Sequence, residues 1–101
     1  MSELDKIKII IFKAIDEFNL SQEFENKLDK MEEEILFSRA GFTGNGKLDS
    51  LTLVYFLVTI EEYLQKEIDL NYNLQIQNLI DNKEKELKNI SSLMNYVKNS
   101  L

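Results

Sequence analysis

The residues best placed to do chemistry lie in one short stretch, Gly46-Lys47-Leu48-Asp49-Ser50-Leu51. All three glycines of the chain, Gly41, Gly44 and Gly46, fall in or just before it and mark it as loop. Ser50 stands where that loop meets a long apolar run, so its hydroxyl is the candidate reactive group. A catalytic serine needs a base to take its proton, most often histidine. The chain has no histidine and no cysteine. The commonest general base, the commonest metal ligand, disulfides and thiolate metal sites are therefore all ruled out. No nucleophile and base converge anywhere in the sequence, so no catalytic residue is expected. Two uses remain for Ser50. It can cap the following helix, as serine and aspartate both do. Alternatively, a hydroxyl at a helix start points into solvent, within reach of another enzyme.

The elements around this stretch read as helices. Leu4, Ile7, Ile11, Ala14 and Phe18 recur at three- and four-residue steps, which predicts a helix over residues 3–18 with Ile10 and Ile15 widening its apolar stripe. Ser2 and Asp5 suit its start and Asn19 its end. Phe24, Leu28, Met31 and Ile35 keep the same spacing. They predict a short helix within residues 22–37, capped by Ser21 and running out into loop where Glu32-Glu33-Glu34 interrupt it. Residues 38–49 read as loop. Residues 50–66 carry the clearest pattern. Leu53, Leu57, Ile60 and Leu64 line one face of a helix, with Leu51, Val54 and Val58 as a second stripe beside it. Residues 69–78 are polar and read as a connection. Leu79 and Ile80 are assigned to a short helix near residues 84–87. A last helix begins near Ser91 or Ser92, with Ile90, Leu93, Met94, Val97 and Leu101 inward. Amphipathic helices of this kind must bury their stripes against one another, so the expected fold is an all-α bundle of three to four helices.

The chain has 101 residues, 44% of them hydrophobic and 30% charged, the mix of one globular domain with its own core. The net charge of -6 argues against nucleic acid and anionic membrane as partners, since binding phosphate depends on lysine and arginine. No apolar run approaches a membrane span, and the first residues carry acids rather than the basic start of a secretory signal, so a cytoplasmic location is expected. Glu32-Glu33-Glu34 is read as a solvated run, and Asn89-Ile90-Ser91 as a glycosylation pattern without a secretory context. Asn45-Gly46-Lys47-Leu48-Asp49 is similar to the middle of an EF-hand calcium loop. In that register the first, third and final ligands fall on Gly41, Thr43 and Thr52, where oxygen ligands, and an acid at the end, are required, so no metal site is expected.

A different match covers most of the chain. The Asp49-Ser50-Leu51 triplet, opening an apolar helix after a glycine-bearing loop in an acidic helical chain, resembles the acyl carrier protein family. The resemblance continues from Thr52 to Gln65 with the acidic pair Glu61-Glu62, returns in Ile-Ser-Ser-Leu-Met-Asn-Tyr-Val at residues 90–97, and takes in the first helix in kind. It implies a single acyl-carrier-like domain over residues 1–101, with a long loop between the first and second main helices and an extra segment at about residues 21–37. It implies that a phosphopantetheinyl transferase attaches 4'-phosphopantetheine from coenzyme A to Ser50, with Asp49 and Leu51 completing the motif. The arm's thiol then holds an acyl group as a thioester, as in fatty acid biosynthesis and other lipid metabolism. Leu51, Val54, Val58, Glu61 and Glu62 are implied contacts for acyl-loading and acyl-using enzymes, the carrier itself being a monomer. Three departures point to a dedicated pathway rather than the general fatty-acid carrier. The segment before Ser50 is long, Thr52 and Tyr55 stand where such carriers favour acids, and the chain has no proline. The alternative reading is an unmodified helical protein-interaction module.

Overall fold

The computed structural model describes residues 3–21, 27–34, 36 and 50–101. Among these the protein is an all-α bundle of three longer helices and two short ones: α1 (Glu3–Asn19), α2 (Ser50–Glu67), α3 (Ile76–Asp81), α4 (Lys83–Glu86) and α5 (Ile90–Ser100).

Helix α1 lies between α2 and α5 and packs on both. Its stripe of Ile7, Ile10, Ile11, Ala14, Ile15 and Phe18 is wholly buried, as the three- and four-residue spacing requires. Glu3 and Asp5 sit in its first turn, where acids favour the positive end of the helix dipole. Helix α2 contributes Leu53, Phe56, Leu57, Ile60 and Leu64, and α5 contributes Ile90, Leu93, Met94 and Val97. Thr59 is buried on α2 without an unsatisfied hydroxyl, because its Oγ1 donates to the Tyr55 carbonyl at 3.0 Å.

The helix expected within residues 22–37 does not form over residues 27–34 and 36, which run as turns, bends and irregular chain. The rest of that expectation lies outside the described residues. The physical reason is that the backbone groups of this segment are bonded elsewhere. Leu28 exchanges hydrogen bonds with the Asn19 side chain, and the Asp29 N–H donates to the Glu34 carboxylate. The carbonyls of Glu32 and Glu34 accept the N–H groups of Ser91 and Ile90 at 2.9 and 3.0 Å, and the Leu36 N–H donates to the Lys88 carbonyl. A helix start leaves its first N–H groups without internal partners. Here the strap of residues 27–34 and 36 supplies two of them for α5, and the Asn89 side chain supplies the next by accepting from the Ser92 N–H at 2.8 Å. Asn89 is therefore the cap of α5, and the helix starts at Ile90, just ahead of the expected Ser91 or Ser92.

Leu28 and Leu36 anchor the strap in the core, whereas Met31, expected to share the apolar face, is 44% exposed. Ion pairs of Lys8 with Glu32 at 3.1 Å and Lys30 with Asp16 at 3.2 Å tie the strap to α1. Exposed pairs of this kind contribute at most about 1 kcal/mol each, so the buried leucines and the shared backbone bonds do most of the holding. Ser21, expected as a cap, instead donates its hydroxyl to the Phe18 carbonyl at 3.0 Å.

After α2 the chain turns through residues 68–75. The helical residues near Leu79 start at Ile76, inside the stretch expected to be a plain connection. Tyr72, Leu74, Leu79 and Leu87 are buried there and close the end of the core.

Candidate functional site

Ser50 is the first described residue of α2, the helix expected over residues 50–66. Asp49 and the preceding glycine-bearing loop, with the calcium-like register as far as Asp49, lie outside the described residues, as does Ser2. Thr52, the final position of that register, is in α2.

Helix periodicity sorts the residues that follow Ser50 into two sets. Leu53, Phe56, Leu57, Ile60 and Leu64 are at most 1% exposed. Leu51, Val54, Tyr55, Val58 and Glu62 occupy the steps i, i+3, i+4, i+7 and i+11, and so share the opposite face. Leu51 is 82% exposed, Tyr55 43%, and Val54 and Val58 36% each. The second apolar stripe of α2 is thus surface, and it begins directly after the motif serine. At about 1.5 Å of rise per residue it extends roughly 16 Å along the helix, from Leu51 to Glu62.

This outer stripe carries no charge before its far end, since residues 50–60 hold no acid and no base. The two acids at that end differ. Glu62 is exposed. Glu61 is half-buried, and its Oε2 accepts the Leu74 N–H at 2.8 Å. One oxygen of Glu61 therefore supports the chain after α2, which the sequence alone did not suggest.

Tyr55 has a further contact that sequence reasoning missed. Its ring lies 5.6 Å from the buried Phe18 ring, and Phe18 meets Phe56 edge-on at 5.1 Å. These separations fall in the favourable range for aromatic pairs. The Ser21 hydroxyl lies 3.3 Å from the Tyr55 hydroxyl. The C-terminal end of α1 and Ser21 after it thereby pack on Tyr55 of α2. The signal in the sequence was Phe18 at the end of the α1 stripe, but nothing there named its partner.

Farther along, the Tyr63 hydroxyl donates to Glu17 at 3.3 Å, and Lys13 pairs with Glu67 at 2.7 Å. Burial, and after it the Glu17 carboxylate, push the pKa of Tyr63 up. The shallow hollows beside Tyr63, bordered by Glu17, Leu20, Glu62 and Lys66, are open surface depressions rather than enclosed chambers. No helix among the described residues is long and apolar enough to cross a membrane.

Comparison of the chain with protein-family models, with curated proteins and with solved structures yields no match.

Proposed function

We propose that this chain is an acyl carrier, holding acyl groups on a 4'-phosphopantetheine arm attached to Ser50 and presenting them to separate enzymes. One observation carries the reading: Ser50 opens α2, and the apolar stripe that starts beside it, Leu51, Val54 and Val58, is turned to solvent rather than to the core. Exposed apolar side chains grouped on one helix face mark a protein interface.

The residues present fit such an arm. A helix start presents backbone N–H groups and the positive end of the helix dipole, a setting that favours a phosphate. The arm supplies the thiol that a cysteine-free chain lacks. The chain's own residues then supply recognition. Leu51, Val54, Tyr55 and Val58 form the contact surface, and Glu62 gives it a charged end. Helix order also supports the reading, since the resemblance takes in a first helix, a long loop, the motif helix and a last helix, and α1, α2 and α5 follow in that order.

We place the chain in the cytoplasm, as a monomer whose partners are a phosphopantetheinyl transferase and the enzymes that load and use the acyl group. Tyr55, where fatty-acid carriers favour an acid, makes the surface beside Ser50 uncharged and favours a dedicated pathway. The test is labelling with a fluorescent coenzyme A analogue and a broad-specificity transferase. Label on the parent chain and none on Ser50→Ala supports the carrier. An unlabelled but folded parent, beside a labelled control carrier, replaces it with an unmodified interaction module that uses the same exposed stripe.

A further inference from the structure

The segment after α2 is built differently from the rest of the bundle. It is held by side chains reaching in from both neighbouring helices. From α2, Glu61 Oε2 accepts the Leu74 N–H at 2.8 Å and Gln65 Nε2 donates to the Tyr72 carbonyl at 2.8 Å. From α5, the Tyr96 hydroxyl donates to the Leu74 carbonyl at 3.1 Å, and Ser100 Oγ lies 2.7 Å from the Tyr72 hydroxyl. Directly after these clamps comes Gln75, with φ 57° and ψ 59°, the one non-glycine residue with positive φ among those described. A side chain with a Cβ is strained in that left-handed region, and such strain persists only where the surroundings hold it. Helix α3 follows at once, too short to be stable by itself. Beneath the segment lie the fully buried Leu74 and Leu79.

We propose that Glu61 is the latch of a hinged flap made of residues 72–81, with Gln75 as its strained hinge. While Glu61 holds the Leu74 N–H, the strain at Gln75 is contained and Leu74 and Leu79 stay in the core. When that bond is released, Gln75 relaxes and α3 lifts while the α1, α2 and α5 bundle stays closed. Tyr96 and Gln65 contact the same segment, yet only Glu61 adds a carboxylate, the stronger acceptor for an N–H. Glu61 stands one residue from the exposed Glu62 on α2. A cationic group that draws the Glu61 carboxylate away from Leu74 frees the flap, so the outer end of α2 and the order of residues 72–81 are linked reciprocally. The latch does not depend on Ser50 carrying an arm, so it stands or falls apart from the carrier reading.

The test is amide hydrogen exchange followed by nuclear magnetic resonance on the full chain. The reporters are the amides of Leu79 and Asn82, which bond to Gln75 and to Asn78 and Leu79 and do not touch Glu61. In Glu61→Ala these amides exchange faster by about tenfold, the scale of one lost charge-assisted hydrogen bond, while amides within α1 and α5 keep their rates. Adding Gln75→Gly to Glu61→Ala restores much of the protection, because glycine adopts the hinge conformation without strain. Glu61→Gln keeps the shape with a weaker acceptor and shows the same selective rise at smaller size, so it carries the test if the alanine chain does not fold. Unchanged rates at Leu79 and Asn82, or an equal rise in every helix, would overturn the latch.

Discussion

The Asn19 side-chain amide pairs with both backbone groups of Leu28: Nδ2 donates to the Leu28 carbonyl at 2.9 Å, and Oδ1 accepts the Leu28 N–H at 2.9 Å. One side chain at the end of α1 thus does for the strap what a neighbouring strand would do. It fixes Leu28 over the core and turns the chain away from helix.

Asn19→Ala leaves both Leu28 groups without that partner. The expected loss is about 1–3 kcal/mol of unfolding free energy, read from urea denaturation. Asn19→Asp keeps the acceptor and loses the donor, so it falls between parent and alanine. Equal stability of all three chains would show that the strap is held by Leu28 and Leu36 alone.

The two faces of α2 should respond differently to the same kind of change. Leu57→Ala removes a fully buried side chain and costs about 2–5 kcal/mol. Val58→Ala, one residue on, trims a surface side chain and stays within about 0.5 kcal/mol of the parent. Thermal unfolding of the two variants distinguishes core from surface. A large loss in the Val58 variant would place that residue in the core and remove the contact surface proposed for partners.

Alkaline stability should depend on Tyr72. Burial raises its pKa above the ordinary 10.0, against a smaller lowering by its Ser100 hydrogen bond. The folded state therefore favours the neutral phenol. That contribution is complete below the unfolded value of 10.0 and is lost as pH rises through the higher folded value. Tyr72→Phe should cost about 0.5–1.5 kcal/mol near neutrality through the lost hydrogen bond, and flatten the fall in stability above pH 10. Denaturation curves across the alkaline range check this. A fall as steep as the parent's would assign the alkaline loss to other groups, of which Tyr63 is the first to test.

Periodicity made the long helices legible. Ile7, Ile11, Ala14 and Phe18 on α1, and Leu53, Leu57, Ile60 and Leu64 on α2, are buried as their spacing requires, because a helix face repeats locally along the chain. The strap departs from the expected helix although Phe24, Leu28, Met31 and Ile35 imitate that repeat. What decides its conformation is non-local: the Asn19 amide, and the free N–H groups of Ile90 and Ser91, which take its backbone carbonyls. No window of sequence contains both sides of those bonds. At the candidate site the motif pointed to Ser50 at the head of α2, while the exposure of the second stripe, Leu51, Val54 and Val58, needed the packed bundle. The inward task of Glu61 was hidden for the same reason, since Leu74 is brought to it only by the turn after α2.

The central claim is that Ser50 carries the arm, and intact mass spectrometry tests it most directly. Parent chain and Ser50→Ala are incubated with coenzyme A and a broad-specificity phosphopantetheinyl transferase, with a known carrier in the same tube. The account predicts one added phosphopantetheine on the parent and none on the variant. A folded parent that gains no mass while the known carrier is modified would contradict it.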